Sequence, residues 1–419
     1  MNFIKNIPLI ITFFFLLIIL SYYILIFVRV KKQEKEKDFR SISIIIPAHN
    51  EEKYISECLN SVLSANFQGK KEIIVVDDGS NDKTSEIVKK FKKKGVILLR
   101  TKHIGKSAVI NTALKIAKGE LIGIVDADSI IEKNSLMEMH SVISKKDVVG
   151  VTGVIKVKNR KKHILMWVHI EQLYNSLLRY LLSKINANVS TPGPLSVYRK
   201  KALIEVGGFS TEGFSEDLDI TIRLIRKGYK ISFAEKALVE TYMPEDSKGF
   251  FRQRTRFARG MLNIFKRHLR INKTIIDIYT LPIFLFTYIQ AIVMGSFALY
   301  QIISGYFAYF VSQGAYFNSS VLGFFFEWFS IIGFIKWAVG IFTGVTPLTA
   351  INIIGIISTL LSYPLYFLAI AKYDKKFDIW HLIPIFFMFP FWLMIMLIYI
   401  LMFPEFFKKK QYNIWKKNE

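Results

Sequence analysis

Two aspartates separated by one residue end an apolar segment near the middle of the chain. The segment Leu121–Val125 is predicted to be a buried strand, and Asp126 and Asp128 follow it. Because side chains alternate along a strand, we expect both carboxylates to point to one side, at the sheet end where α/β proteins bind ligands. Carboxylate oxygens are the ligands that Mg²⁺ and Mn²⁺ prefer, and these ions often bridge to phosphate. The pair therefore indicates a metal-bound nucleotide diphosphate, although an isolated Asp-x-Asp is also typical of a solvated turn.

Two earlier predicted strands also end in polar loops. Ser41–Pro47 is followed by Ala48–Glu52, and Glu72–Asp77 is followed by Asp78-Gly79-Ser80. Helices are predicted after these loops, at about 53–63 and 84–93. Strands that alternate with helices predict a parallel, doubly wound sheet, so three polar loops are expected at one sheet edge.

Several single residues in this region give only weak indications of function. Lys106 lies between a glycine and a predicted helix start, which suits phosphate, but the first glycine of a P-loop is missing and an ATPase is disfavoured. His49 and His103 are expected to be surface residues. Cys58 is the only cysteine, so it excludes an intramolecular disulfide and is expected to be a small buried residue.

The chain divides into apolar ends and a charged middle. Of the 419 residues, Met1–Val30 and Ile275–Pro404 are long apolar stretches, and Lys31–Lys273 carries most of the charge. A net charge of +24 is typical of nucleic-acid-binding proteins, but zinc-ligand spacing, an RNP-like motif and an arginine-rich arm are all missing. We therefore expect a bilayer as partner and no nucleic acid.

The first apolar stretch is predicted to be a retained membrane anchor. Leu9–Val28 is long enough to cross ~30 Å of hydrocarbon, and no signal-peptide cleavage pattern follows it. Its N-terminal flank has only Lys5, whereas its C-terminal flank is rich in lysine and arginine. The positive-inside rule then places the N-terminus outside and the middle domain in the cytoplasm.

Four further spans are predicted in the second half. One of them, Leu322–Phe342, contains two charged residues, Glu327 and Lys336. Such residues are costly in lipid unless they are paired or line a cavity. The alternative for this segment is therefore a pore-facing or interfacial helix. An even number of crossings leaves the basic C-terminus in the cytoplasm. The predicted spans are Ile275–Ile303, Leu322–Phe342, Ala350–Ala371 and Ile379–Phe403. The predicted domains are an anchor at 1–30, a basic linker at 31–40, a soluble domain at 41–270, a membrane region at 275–403 and a basic tail at 404–419.

The order of the motifs between Ser41 and Arg267 resembles that of family-2 glycosyltransferases with a GT-A nucleotide-sugar fold. With the flanking spans, the chain is similar to the membrane-embedded processive branch, which includes poly-β-1,6-N-acetylglucosamine, hyaluronan, chitin and cellulose synthases. The motifs are Ile46-Pro-Ala-His-Asn-Glu-Glu52, Val76-Asp-Asp-Gly-Ser-Asn-Asp82, Ile104-Gly-Lys-Ser-Ala-Val-Ile-Asn111, Val125-Asp-Ala-Asp128, Thr191-Pro-Gly-Pro-Leu-Ser-Val-Tyr-Arg199, Gly207-Gly-Phe209, Phe214-Ser-Glu-Asp-Leu-Asp219 and Arg252-Gln-Arg-Thr-Arg-Phe257.

This resemblance implies a role for each matching residue. Asp217 is implied as the general base, although an acidic first turn also simply suits a helix dipole. Phe257 stands where the family usually has tryptophan, so it keeps an aromatic face for a sugar but loses the indole N–H. The implied metal ligands for Mg²⁺ or Mn²⁺ are Asp126 and Asp128. The implied donor-nucleotide residues are Ala48, Asn50, Glu51, Asp77, Asp78, Lys106 and Asp126, with Asp77 contacting the base or ribose. The implied acceptor and diphosphate residues are Glu216, Gln253, Arg256 and Phe257.

The resemblance implies an inverting glycosyltransferase that extends a β-linked polysaccharide coupled to export. The expected donor is UDP-N-acetylglucosamine or another UDP-sugar, and a small membrane partner subunit is compatible with the family. Two alternatives stay open: a single-addition transferase acting on a lipid or polyprenyl-phosphate acceptor, and a non-catalytic membrane transporter or scaffold.

Overall fold

An eight-stranded mixed sheet forms the centre of the computed structural model, which describes residues 2–30, 34–162, 164–270, 274–374 and 376–407. The strands read as near-continuous apolar runs because helices cover both faces of the sheet. They are β1 Ser41–Ala48, β2 Lys70–Asp77, β3 Val96–Arg100, β4 Leu121–Ile124, β5 Ser129–Ile131, β6 Val148–Val157, β7 Ser196–Arg199 and β8 Lys230–Thr241.

The strand order is β3-β2-β1-β4-β7-β6-β8-β5. The first four strands are parallel, as predicted, and Ala48 lies opposite Asp77, which lies opposite Arg100, so their loops leave from one edge. The rest of the sheet is mixed, because β7 is antiparallel to β4 and β6, and β5 is antiparallel to β8, which agrees with the mostly parallel sheet that a GT-A fold implies. The loop before β7 returns to the ligand edge, where the Asp126 N–H donates to the Gly193 carbonyl (3.1 Å), so β7 must run away from that edge.

Helices of the soluble domain pack on both faces of the sheet. Alternate residues of β1 serve the two faces: Ile44 and Ile46 lie in one core, and Ile45 lies in the other with Ile110 of the helix that starts at Lys106. The helices are α1 Asn2–Phe27, α2 Ile55–Ser64, α3 Thr84–Lys90, α4 Lys106–Ile116, α5 Ser135–Ile143, α6 Leu165–Ser183, α7 Lys200–Glu205, α8 Glu216–Arg226, α9 Ser247–His268, α10 Leu281–Gly305, α11 Ser319–Phe329, α12 Ile331–Phe342, α13 Ala350–Tyr373, α14 Ile379–Phe386 and α15 Met388–Met402.

A third apolar core joins the soluble domain to the long helices. Leu173 and Leu177 of α6 are fully buried there with Ile19 of α1, Leu365 of α13 and Phe391 of α15. The helix α6 therefore packs against the sheet on one side and against apolar helices on the other. It connects the sheet domain to the long helices.

Four described helices are long and apolar enough to cross a membrane, at 6–27, 276–313, 350–373 and 388–407. Two predicted spans need correction. Leu322–Phe342 is not one straight helix, because α11 and α12 meet at Ser330 with a bend of 85°. Ile379–Phe403 is divided at Phe387, so its long helix begins at Met388. Local hydrogen bonding favours the first break, since the Ser330 hydroxyl accepts the Ile332 N–H and caps α12.

The two charged residues of the bent pair contact one another. Lys336 of α12 forms an ion pair with Glu327 of α11 across the bend. Pairing is the condition under which such residues are tolerated near lipid. Residues 408–419 of the predicted basic tail and the first linker residues, 31–33, lie outside the described residues.

Candidate active site

Three charged side chains from distant parts of the chain meet at the ligand edge of the sheet. The Lys106 ammonium lies 2.6 Å from Asp126 Oδ1 and 3.4 Å from Glu216 Oε1. Burial lowers the pKa of Lys106, but these two carboxylates outweigh it and raise that pKa above its usual value. The lysine is therefore a permanent cation between two carboxylates, with about one fifth of its side chain exposed.

Asp126 and Asp128 lie in the loop between β4 and β5, not on the strand itself. Strand β4 ends at Ile124, one residue earlier than predicted, so strand alternation is not what orients the two side chains. Asp126 faces Lys106, whereas Asp128 Oδ1 lies 3.3 Å from the Thr241 hydroxyl. Both carboxylates interact electrostatically with the buried Cys58 thiol, whose predicted burial is confirmed.

Gly193 leaves open the space beside Asp126. A Cβ atom at this position would lie 2.5 Å from Asp126 Oδ2 and 2.6 Å from Lys106 Nζ. A side chain at this position would therefore displace the Asp126 carboxylate or the Lys106 ammonium, and glycine leaves the space beside that carboxylate open. The Thr-Pro-Gly-Pro motif indicated this segment, but its sequence did not reveal that its glycine lies against Asp126.

Asp217 lies in the first turn of α8, next to Glu216. A chain of hydroxyl groups holds this turn on the sheet: Thr221 Oγ1 donates to the Asp217 carbonyl (2.6 Å) and lies 2.6 Å from Thr191 Oγ1, which lies 2.6 Å from the Tyr198 hydroxyl. Burial, followed by the charge of Glu216, raises the pKa of Asp217 to about 6. A carboxylate with this pKa is ionised at neutral pH and is a stronger base than an ordinary aspartate.

The loops after β1 and β2 are hydrogen-bonded to each other. Asn50, in the left-handed region at φ 56°, donates its N–H to the Ser80 hydroxyl (3.0 Å) and accepts the Asn81 N–H through its side chain (2.9 Å). The Glu51 N–H donates to the Thr84 hydroxyl (2.8 Å). These contacts bring the predicted donor-binding residues Ala48, Asn50 and Glu51 to the edge that carries Asp126.

Asp77 and Asp78 lie beneath these loops, and both side chains are fully buried. Asp77 accepts the Ser80 N–H (2.9 Å), and Asp78 accepts the N–H groups of Ile104 (2.7 Å) and Gly105 (2.8 Å). Asp78 therefore joins the second loop to the start of α4, which carries Lys106. Direct contact of either carboxylate with a nucleotide stays a prediction.

The prediction that His49 is a surface residue is wrong. Its side chain is buried, its Nδ1 lies 2.8 Å from the Asp78 carbonyl, and its ring lies 4.3 Å from that of His103. His103 is partly exposed at φ 51°. The two rings contact each other at an interplanar angle of 36°, because the first and third loops pack over the second. Sequence spacing does not show this contact between segments.

The helix α9 lies over the same edge and carries Gln253, Arg256 and Phe257. Gln253 Nε2 donates to the sulfur of Met243 (3.3 Å). The residue before Met243 is Tyr242, and the Tyr242 N–H donates to the Asp128 carbonyl (3.0 Å). Arg256 interacts electrostatically with Lys106, and Phe257 is 41% exposed, so its ring remains available for contact. Of these three residues, Arg256 thus interacts with the charged centre through Lys106, and Gln253 contacts the segment that follows the Asp128 partner Tyr242.

A second polar cluster, missed from the sequence, lies where α13 and α14 meet the soluble domain. Asp374 Oδ2 lies 2.8 Å from Nε2 of both His169 and His381. The N–H groups of Val157 and Asp378 donate to the Nδ1 atoms of these two histidines, at 3.3 and 3.1 Å. Because its Nδ1 accepts the Val157 N–H, His169 carries its proton on Nε2 and donates it to Asp374. His381 Nδ1 also lies 2.9 Å from Asp378 Oδ1, and its Nε2 lies 3.0 Å from Arg160 Nη1, so both of its ring nitrogens already have partners in the protein.

Two cations complete this cluster. Lys156 Nζ lies 2.8 Å from Asp374, and Arg160 Nη1 lies 3.1 Å from it. Burial alone raises the pKa of Asp374, but hydrogen bonds led by that from His169 outweigh it and hold the pKa well below its usual range. The cluster is thus a polar junction between the apolar helices α13 and α14 and the sheet domain, and its two cations argue against a metal centre.

Known glycosyltransferases resemble this chain in sequence and in fold. The glycosyl transferase family 2 model matches residues 43–207. The chain is 30% identical over 275 residues to the probable glycosyltransferase YdaM of Bacillus subtilis, covering 62% of this chain and 64% of that protein. It is 25% identical over 272 residues to the poly-β-1,6-N-acetyl-D-glucosamine synthase of Staphylococcus aureus, covering 62% of this chain and 65% of that one. The match thus spans slightly less than two thirds of these curated relatives.

A solved structure shows the same fold. The mannosyltransferase PcManGT of Pyrobaculum calidifontis, in complex with GDP-Man and Mn²⁺, superposes with a TM-score of 0.58 at 18% identity and covers 89% of this chain and 99% of its own. The predicted GT-A fold is therefore confirmed, and the part of the chain that matches the glycosyl transferase family 2 model, residues 43–207, is flanked by helices long and apolar enough to span a membrane.

Proposed function

We propose that this protein is an inverting, membrane-bound glycosyltransferase that uses a nucleotide sugar to extend a β-linked polysaccharide. The convergence of Lys106, Asp126 and Glu216 beside the raised-pKa Asp217 carries the proposal. This centre lies at the ligand edge of a family 2 glycosyltransferase domain, within reach of α9 and the apolar helices. A transporter or scaffold requires neither a base of this kind nor a cation placed between two carboxylates.

The donor set fits a hard divalent cation such as Mg²⁺ or Mn²⁺. Asp126 and Asp128 offer carboxylate oxygens, and the missing side chain of Gly193 leaves open the space beside Asp126 Oδ2. These two aspartates would hold the ion. A bound ion would supply Lewis-acid stabilisation of the departing diphosphate.

The residues of the chain supply the other requirements of glycosyl transfer. Asp217 accepts the proton of the acceptor hydroxyl while that oxygen attacks the anomeric carbon of the donor. The bond from this carbon to the diphosphate oxygen breaks on the opposite side, so an α-linked donor yields a β-linked product. Lys106 and Arg256 place positive charge where the diphosphate leaves, and Phe257 offers a face for the acceptor sugar.

The expected donor is UDP-N-acetylglucosamine, and the expected product is an exported polymer. Support comes from the relative named as a poly-β-1,6-N-acetyl-D-glucosamine synthase, at 25% identity. In such a system the membrane helices accept the growing chain, and a small partner subunit is compatible with this arrangement.

The orientation that we propose places the N-terminus outside and the catalytic domain and C-terminus in the cytoplasm. The charge bias around the first span supports the first part. Arg259 of α9 lies 3.7 Å from Glu405, just after α15, which supports a common side for the domain and the chain end. This requires an even number of crossings after α9, so the bent pair α11–α12 counts as one crossing.

A second candidate is a single-addition transferase with a lipid or polyprenyl-phosphate acceptor. An apolar cavity of about 220 Å³ between α12 and α13, lined by residues that include Phe334, Tyr363 and Phe367, favours it. In this case the membrane helices would bind the lipid chain instead of a polymer.

The test uses the full chain in nanodiscs with Mn²⁺ and a panel of nucleotide sugars, following nucleotide release and the size of labelled product. Release with a high-molecular-weight product supports the polymerase. Release with a one-sugar lipid adduct supports the second candidate. No release from any donor, with lipid extract and acceptor oligosaccharides supplied, overturns both enzymatic functions. Asp217→Asn is the matched inactive variant: an enzyme would lose turnover, whereas a scaffold would keep its role.

A further inference from the structure

A buried ion pair joins α6 to α9 directly beneath the proposed acceptor residues. Arg254 donates through both terminal nitrogens to the Glu171 carboxylate, with Nη1 at 2.7 Å from Oε1. Both side chains are more than nine-tenths buried. The Arg254 guanidinium also lies over three aromatic rings, those of Phe250 at 5.1 Å, Phe391 at 5.7 Å and Phe257 at 5.8 Å.

The rotation of α9 about its axis determines where the site residues of this helix lie. Gln253 and Arg256 flank Arg254 in sequence, and Gln253 contacts Met243 next to the Asp128 loop. Lower on the helix, a Cβ atom at Gly260 would lie 2.0 Å from the Ser215 hydroxyl oxygen, so α9 packs directly on the residue before Glu216. A small rotation of α9 about its axis would therefore displace its contact near the Asp128 loop and its contact with Ser215 before Glu216.

Burying two charges is a poor way to gain stability. Replacement of a buried ion pair by apolar residues of similar volume is often neutral or stabilising, whereas removal of one partner is strongly destabilising. The bidentate geometry does, however, define one orientation, because the planar guanidinium must align with the carboxylate. The pair is therefore better suited to orienting α9 than to stabilising the fold.

We infer that Glu171 is a positioning residue for glycosyl transfer, which through Arg254 fixes the face of α9 that presents Gln253, Arg256 and Phe257 to the acceptor and the leaving diphosphate. This inference rests on the proposed function. Because Phe391 of α15 contacts the same guanidinium, the pair also ties this face to a helix of the membrane region.

The experiment compares three variants of the full chain in nanodiscs: Glu171→Gln, the double variant Glu171→Met with Arg254→Met, and Asp277→Asn. The last removes the buried partner of a different ion pair, Arg226–Asp277, whose arginine contacts α9 at its last residue, His268, eleven residues beyond Phe257. The readouts are thermal stability, binding of UDP with Mn²⁺, kcat, KM for the acceptor, and product length. A merely structural pair would alter stability and activity together.

We expect Glu171→Gln to lower stability and to lower kcat at least tenfold, with UDP affinity within about twofold of wild type. The double variant should regain stability but not kcat, and its products should be shorter or its acceptor KM higher. Asp277→Asn should lose stability but keep kcat within about twofold. If the double variant regains kcat together with stability, the positioning role is wrong but the proposed function stands. If the wild-type chain has no turnover, the proposed function itself is wrong.

Discussion

The ammonium nitrogen of Lys106 lies 2.6 Å from Oδ1 of Asp126, although the two residues belong to different elements of the sheet edge. Lys106 begins α4, and Asp126 lies in the loop after β4. The contact places a cation next to the carboxylate proposed to hold a metal ion, and Glu216 faces the same cation from α8. The donor diphosphate would thus meet a site in which charges from three elements are already arranged.

Lys106→Gln should reduce kcat by about 10²-fold, because it removes one fixed positive charge from the leaving diphosphate. Nucleotide release under saturating donor measures this loss. Lys115→Gln, an exposed position on the same helix, is the control and should retain full turnover. Equal activity in the two variants would show that Lys106 serves only to pair Asp126.

Removal of divalent metal should abolish turnover, and Asp128→Asn should not regain it on addition of Mn²⁺. The reason is that an amide is a much weaker ligand for a hard cation than a carboxylate. Titration of wild type and variant with Mn²⁺ after chelation, followed by nucleotide release, tests the prediction. Asp147→Asn, at an exposed turn before β6 with φ 62°, should titrate like wild type. A fully active chelated wild type would contradict the metal requirement.

The pH dependence of kcat/KM should show an acidic limb near pH 6, where Asp217 becomes protonated and can no longer accept a proton. Below this pH the rate should fall about tenfold per unit. The negative charge of Glu216 contributes to the raised pKa of Asp217, so Glu216→Gln should move the limb to lower pH. A limb that stays in place in this variant would mean that another group is the base.

Phe257→Ala should weaken acceptor binding and shorten the product, because an exposed aromatic face is lost. Aromatic contacts of this kind contribute about 0.5–1.5 kcal/mol, so acceptor KM should rise between roughly twofold and tenfold. Phe257→Trp should have the opposite effect or none. Phe251→Ala is the control, since Phe251 is similarly exposed, at 44%, on the same helix. If both alanine variants behave alike, Phe257 belongs to the interfacial surface.

Asp374→Asn should lower the free energy of unfolding by about 3 kcal/mol at neutral pH, because Lys156 and Arg160 lose their shared carboxylate. Burial lowers the pKa of His169, so the folded state binds this proton less readily than the unfolded state does. Wild-type stability should therefore decrease as the pH falls below about 6.5. Thermal denaturation across this range measures both effects. Glu240→Gln, which removes a half-exposed ion pair with Lys158, should change stability by less than 1 kcal/mol.

Comparison of the described residues with the predictions shows which elements could be located from the sequence. Apolar runs and turn residues located β1, β2 and β4 to within about two residues, because each strand has an apolar stretch that is buried on both faces of the sheet. The amphipathic period of α8 placed Glu216 and Asp217 in its first turn, as observed. Apolar length likewise located the long helices, but not the breaks at Ser330 and Phe387. At the first break, capping by the Ser330 hydroxyl competes with a continuous helix.

By itself, the sequence determined the fold class, the parallel first half of the sheet and the set of motifs, since these depend on local periodicity and on residue types near each other in the chain. Only the tertiary structure decided which of these residues meet. The contact of Lys106 with Asp126 and Glu216, the fit of Gly193 against Asp126, the Glu171–Arg254 pair and the Asp374 junction each join segments separated by about 20 to 200 residues. Such contacts follow from strand order and helix packing, which hydrophobic periodicity along the chain does not encode.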